Sequence, residues 1–160
     1  MKEYLRGLRY GIPIALGYLS VSFTFGIMAV SYGLAWWQAV MISMLTLTSA
    51  GQLAGIGVMM HPGQYIEMLI SQITINVRYS FMSICLSQKT DAKFKGLYRL
   101  LLGFFMTDEI FAVASTEKSV SRSYFLGLAA APYIGWTCGT LLGALLGDIL
   151  PDRVMGALCL

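Results

Sequence analysis

Five apolar runs, each near the length that crosses a bilayer, leave the chain few ways to fold. They cover about residues 11–32, 36–60, 65–87, 97–115 and 124–147. A helix needs ~20 largely apolar residues to span the hydrocarbon core. The connections are short: "GLAWW", "HPGQY" and two polar stretches, "SQKTDAKFKG" and "TEKSVSRS". Of the 160 residues, 57% are hydrophobic and 12% charged. That charged share is about half of what a soluble domain carries, so a small soluble core is a poor home for these runs. The pattern predicts an all-α integral membrane protein, a multi-helix bundle with about five hydrophobic segments forming one transmembrane domain over residues 1–160. The final stretch, "GDILPDRVMGALCL", is too short to span.

The start, "MKEYLRGLRYGIPIALGYL", has the basic head and apolar body of a signal peptide. The apolar stretch continues to about residue 32 without a convincing small-residue cleavage site, so it reads as a retained first segment. A net charge of +3 is too weak a bias to imply nucleic acid. Cys85, Cys138 and Cys159 form no CxxC pair and no metal spacing, and read as small buried hydrophobes. No metal or cofactor is expected.

Charge distribution poses a topological problem. Lys2, Arg6 and Arg9 place the N-terminus in the cytoplasm, and Lys89, Lys93, Lys95 and Arg99 ask the same of the third connection. An even number of crossings must separate them, whereas three apolar runs do. The odd segment is expected at 36–60, where "TLTSAGQLAGIGVMM" concentrates small and polar residues. Two readings stand: a re-entrant or broken segment surrounded by protein or a cavity, or a plain helix whose glycines pack on a neighbour. In the last run, Gly127, Ala131, Gly135, Gly139, Gly143 and Gly147 recur every four residues. That spacing makes a stripe another helix can approach closely.

Polar residues at membrane depth mark the candidate site. Arg78, in "TINVRYSFM", falls near mid-bilayer, where an arginine costs at least ~2.5 kcal/mol and normally faces a partner. Asp108 and Glu109, in "GFFMTDEIFAV", lie at nearly the same depth on the next helix, so a buried Arg78–Asp108 pair is expected. Gln72, Asn76, Ser80 and Ser83 form a second polar stripe. Asn76 and Arg78 differ by about 200° of helical rotation and point in different directions. A structural ion pair and a transport pathway both suit these residues. Glu67 reads as a solvated helix-end residue, and His61 as part of the turn "MHPGQ".

"TSAGQLAG" at 48–55, "NVRYSFM" at 76–82 and "FFMTDEIFAV" at 104–113 resemble the signature stretches of the AzlC family, and "GLRYGIPIALGYLSVSFTFGIMAVSYGL" resembles its first helix. The resemblance covers essentially the whole chain. It implies a multi-pass protein of the bacterial inner membrane, associated with export of branched-chain amino acids and resistance to azaleucine, working with a small AzlD-like membrane partner. It singles out Gln52, Asn76, Arg78, Asp108 and Glu109 as the substrate-binding or transport pathway. Tyr79 departs from the histidine often found there, which removes any proton role assumed for that position. Family members continue for further membrane segments, so the chain is expected to lack their C-terminal part.

The sequence carries no GxxxxGK[ST], so a transporter of this kind would draw on an ion gradient rather than ATP. No HExxH or GxSxG occurs, and there is one histidine, so an enzyme is not expected. The alternative to a transporter is a non-transporting assembly or regulatory subunit, which the glycine stripe would suit.

Overall fold

In the computed structural model the apolar runs become helices, and glycines with positive φ mark several of the turns between them. Residues 1–59, 63–91 and 94–149 are described, and their regular structure is helical: α1 (Lys2–Ser31), α2 (Trp36–Leu45), α3 (Ser49–Met59), α4 (Tyr65–Ser87), α5 (Leu97–Phe104), α6 (Asp108–Ser115) and α7 (Arg122–Ile149). His61, Lys93 and Cys159 lie outside the described residues. Gly33 and Gly63, at φ 88° and 100°, shape the turns that follow α1 and precede α4, a conformation L side chains rarely take.

Two of the apolar runs are broken. The run 36–60 divides into α2 and α3 around Thr46–Thr48, where the expectation allowed for a break. The run 97–115, read from sequence as one helix, also divides, into α5 and α6 around Phe105–Thr107. The physical reason is the same in both. A threonine offers its hydroxyl to the backbone in place of another helical turn. Thr48 Oγ1 accepts from the Gly51 N–H at 3.3 Å, and Thr107 Oγ1 from the Ile110 N–H at 3.4 Å. Each caps the helix that follows, a contribution of ~1 kcal/mol.

The chain forms two compact units, one from Met1–Leu16 with Asn76–Ile134, the other from Gly17–Ile75 with the chain from Gly135 onward. In the first unit, Leu86, Met106, Ile110, Phe125 and Leu128 lie in the core. Here α1 and α7 touch backbone to backbone. A Cβ on Gly127 would collide with the Tyr4 carbonyl, and one on Gly7 with the Tyr124 carbonyl. The connection after α4 is tied to the start of α7 by the Val120 N–H donating to the Lys89 carbonyl (2.8 Å) and the Asp91 N–H to the Val120 carbonyl (3.2 Å). Lys89 Nζ also donates to the Ser115 carbonyl at 2.7 Å. The residues just after α4 and the last turn of α6 are therefore neighbours.

In the second unit, Phe25, Ala29, Ala39, Ile56 and Ala144 form the core, with Val30, Leu34 and Ile42 packed against it. A Cβ on Gly143 would collide with the Phe23 carbonyl. The glycine stripe thus meets α1 in each unit. Ser43 and Thr140 share a buried hydroxyl–hydroxyl hydrogen bond of 2.7 Å between α2 and α7.

The exterior is apolar. Along α4, Ile66, Leu69, Ile73, Val77, Phe81 and Ile84 are all exposed, at helical spacing and far beyond scattered surface apolar residues. Cys85 and Cys138 are exposed as well, which corrects their reading as buried. In such a chain an apolar environment lies outside as well as inside, so an apolar setting in sequence does not imply burial. Among the described residues, two helices, Lys2–Ser31 and Arg122–Gly147, are long and apolar enough to cross a membrane.

Candidate functional site: an ion pair and a buried glutamine at two helix breaks

The first unit holds Asn76, Arg78, Asp108 and Glu109. Arg78 Nη2 lies 2.8 Å from Asp108 Oδ2. Asp108 is the first residue of α6, directly after the Thr107 cap, where the helix dipole favours a carboxylate. Arg78 Nη2 also donates to the Tyr79 hydroxyl at 3.1 Å, and the guanidinium lies 5.0 Å from the Tyr79 ring centre. The expected pair forms, but it is not buried: the side chains are 52% and 40% exposed. Arg78 belongs to the outer side of α4, next to Val77, while Asn76 sits half-buried on the inner side with Met68, Gln72, Tyr79 and Ser83. Asp108 differs from its partner in one respect. Its Oδ1 is buried and receives no hydrogen bond from any described residue. Glu109, one residue further along α6, is exposed.

The second unit holds Gln52 and Gln72. Gln52, on the first turn of α3, is 4% exposed. Its Nε2 donates back across the break to the Thr46 carbonyl (3.0 Å) and hydroxyl (2.8 Å), with a longer contact to Ser43 Oγ (3.4 Å). Its Oε1 is buried and accepts no hydrogen bond from a described residue. Gln72 Nε2 on α4 donates to the Gly51 carbonyl at 2.8 Å. Sequence reasoning placed Gln72 in a polar stripe but assigned it no site role. It missed Thr48 and Thr107 altogether, although each is followed three residues later by the N–H it caps. Among the described residues no group of three or more His, Cys, Asp or Glu side chains is placed to hold a metal.

An all-helical chain with an apolar exterior, two membrane-length helices and polar side chains gathered at helix breaks has the makings of a helical membrane protein. The comparisons agree. The family model described as AzlC protein matches residues 13–150, and the chain belongs to the AzlC family. It is 32% identical over 147 residues to an uncharacterized membrane protein of Archaeoglobus fulgidus, covering 92% of this chain and 64% of that protein. It is 26% identical over 153 residues to the inner membrane protein YgaZ of Escherichia coli, covering 91% and 61%. An uncharacterized membrane protein of Helicobacter pylori is 24% identical over 157 residues, covering 92% and 68%. The chain spans less than two thirds of the length of the first two relatives. No solved structure matches it.

Proposed function

We propose that this chain is part of a multi-pass transporter subunit of the bacterial inner membrane that exports branched-chain amino acids or analogues such as azaleucine, driven by an ion gradient and assembled with a small AzlD-like partner. The observation that carries the reading is the half-exposed Arg78–Asp108 pair at the start of α6. A guanidinium presents a planar fork of donors suited to a carboxylate. A zwitterionic substrate matches the pair end for end, its carboxylate to Arg78 and its ammonium to the half-exposed carboxylate of Asp108. Asn76 and Glu109 flank the pair in the chain, and apolar side chains nearby would take the substrate's side chain.

The topology we infer has α1, α4 and α7 as crossings, with α2–α3 and α5–α6 each entering and leaving on one side. Two features support it. The segment α2–α3 lies wholly in one unit and α5–α6 wholly in the other, while α1, α4 and α7 each contribute to both. The Lys89–Ser115 contact brings the end of α6 back to the chain just after α4. Two crossings then separate the N-terminus from Lys89, Lys95 and Arg99, as the charge distribution asks. The glycine stripe, which would have suited an assembly subunit, is occupied by α1 within this chain.

The test is export of labelled leucine and valine from cells carrying the full-length protein with and without an AzlD-like partner, with Arg78→Ala matched for membrane level. Export is expected to require both the partner and Arg78. Wild-type export by Arg78→Ala would remove the pair from the mechanism.

A further inference from the structure

Where α4 ends, the first unit contains an open pocket of about 170 Å3. Ser83, Ile84 and Ser87 of α4 and Thr90 just after it form one wall, and Arg99 and Leu102 of α5 form the other. Arg99 and Leu102 are three residues apart and share a face of α5. That face is turned to α4, since Leu102 is buried in the same core cluster as Leu86. Arg99 itself is exposed. Its Nε donates to the Phe94 carbonyl at 3.3 Å, which anchors the base of the guanidinium and leaves its two Nη groups as the donors of the site. Among the described residues no carboxylate pairs with Arg99. The lining contains no Asp or Glu, and the segment from Lys89 to Arg99 carries four basic residues against one acid, Asp91.

A guanidinium in such surroundings selects an anion, and its planar fork fits a phosphate. Position says which kind. The pocket lies where the basic connection leaves α4, the side that the charge distribution places in the cytoplasm. Its wall is also part of the apolar exterior: Ile84 is 60% exposed, and Phe81, three residues earlier on α4, is 69% exposed. A ligand there has its charge at the membrane surface and an apolar body beside α4, which is the form of a phospholipid. Basic pockets between helices on the cytoplasmic side hold anionic headgroups in this way. The hydroxyls narrow the headgroup further. Ser87 and Thr90 give their protons to the Ile84 and Ser87 carbonyls, at 2.7 Å each, so their oxygens accept rather than donate. They suit a headgroup that brings its own donor. An ammonium would meet basic neighbours and no carboxylate in the lining; a hydroxyl meets no such penalty. We propose that the pocket binds phosphatidylglycerol, with the phosphodiester on Arg99, the glycerol hydroxyls toward Ser87 and Thr90, and the acyl chains along Ile84 and Phe81. The volume agrees, because a cavity of ~150 Å3 holds benzene and a phosphodiester with its two ester carbons has about seven heavy atoms; the glycerol continues from the open side. The proposal stands apart from the export reading, since binding requires no transport.

The experiment is native mass spectrometry of the full-length protein in detergent, titrated singly with palmitoyl-oleoyl phosphatidylglycerol, phosphatidylethanolamine or phosphatidylcholine. Phosphatidylglycerol is expected to bind at least about tenfold more tightly than either of the others. Arg99→Gln should weaken it by about tenfold, the effect of one charge-assisted hydrogen bond, and Arg99→Lys should restore only part, because the charge returns without the fork. Lys118→Gln removes an exposed cation outside the pocket and is expected to change nothing. Ser83→Leu fills the pocket with Arg99 still in place; it should lose the preference while the thermal unfolding profile stays as in the wild type. Excess free glycerol phosphate is expected not to displace the lipid. Phosphatidylglycerol bound no better than phosphatidylcholine, equal losses in Arg99→Gln and Lys118→Gln, or a preference that survives Ser83→Leu would each overturn the site. Phosphatidylethanolamine bound as tightly would overturn the headgroup assignment, and displacement by glycerol phosphate would replace the lipid with a soluble anion.

Discussion

Replacing Arg78 with Met, Asp108 with Asn, and both together separates a transport pair from a structural clamp. The charges are 2.8 Å apart and their side chains 52% and 40% exposed. In the water-filled path that the transport reading requires, Coulomb attraction at that distance is about 1.5 kcal/mol. Holding an arginine in one rotamer opposes it by up to ~2 kcal/mol. The net lies near zero, as for exposed pairs in general, which contribute ~0–1 kcal/mol. The coupling energy from the four proteins is therefore expected below ~1 kcal/mol, a change of ~2–4 °C at most in Tm for a chain of this length. Export should respond quite differently, falling to background in Arg78→Met and staying there in the neutral double variant, because the substrate's carboxylate has lost its partner. The assays are thermal unfolding of the purified full-length protein in detergent and export of labelled leucine at matched membrane level. A coupling of ~3–5 kcal/mol, the scale of a buried pair broken by removing one partner, together with export restored in the double variant, would refute the reasoning and make the pair a clamp.

Other outcomes follow from the same geometry. Gly143→Leu is expected to lower the yield of folded protein and its thermal stability sharply, since its Cβ meets the Phe23 carbonyl. Gly57→Ala, with nothing within 4 Å of the added Cβ, should gain ~0.5–1 kcal/mol from helix propensity; thermal unfolding checks both. Thr107→Ala should cost ~1 kcal/mol by uncapping α6, and Thr107→Ser should recover most of it. In a background without native cysteines, Lys95→Cys and Glu117→Cys should react with an impermeant maleimide from the side of the N-terminus, and Gln64→Cys from the opposite side. Labelling of Lys95→Cys and Gln64→Cys from the same side would refute the topology.

Helix positions were legible because an apolar run is a long signal that averages over many residues. The run 65–87 became Tyr65–Ser87, and the four-residue spacing of glycines marked a close helix contact that α1 provides. Breaks were harder, because each depends on one hydroxyl. "TLTSAGQ" drew notice through its small residues, whereas "FFMTDE" hides Thr107 between aromatic and acidic neighbours and reads as a continuing helix. Of the site, sequence spacing paired Arg78 with Asp108 correctly, since depth along adjacent helices depends only on residue counts. It put the pair in the interior because it could not tell which side of α4 Arg78 would occupy. Asn76, about 200° away, took the inner side instead. Gln52 stood out as a polar residue in an apolar run; only the coordinates separate its engaged nitrogen from its unengaged oxygen.

Helix α4 reaches both breaks. Gln72 donates to Gly51 in the first turn of α3, and Arg78 binds Asp108 in the first turn of α6. The two residues are six apart in the chain, each within its own unit. The capping threonines, Thr48 and Thr107, are each the last residue before a short helix, and a long helix precedes and follows each broken segment. The chain therefore reads as long, broken, long, broken, long, with α4 shared between two copies of one pattern. Each tether is modest: about 1 kcal/mol for a neutral hydrogen bond and no more for an ion pair that borders a water-filled path. Links of that size position a half-helix without locking it, and a substrate carboxylate competing for Arg78 would need to replace only a weak partner. A pathway built on Arg78 accordingly requires the pair to be weak, which is why the small coupling energy and the lost export belong to a single test.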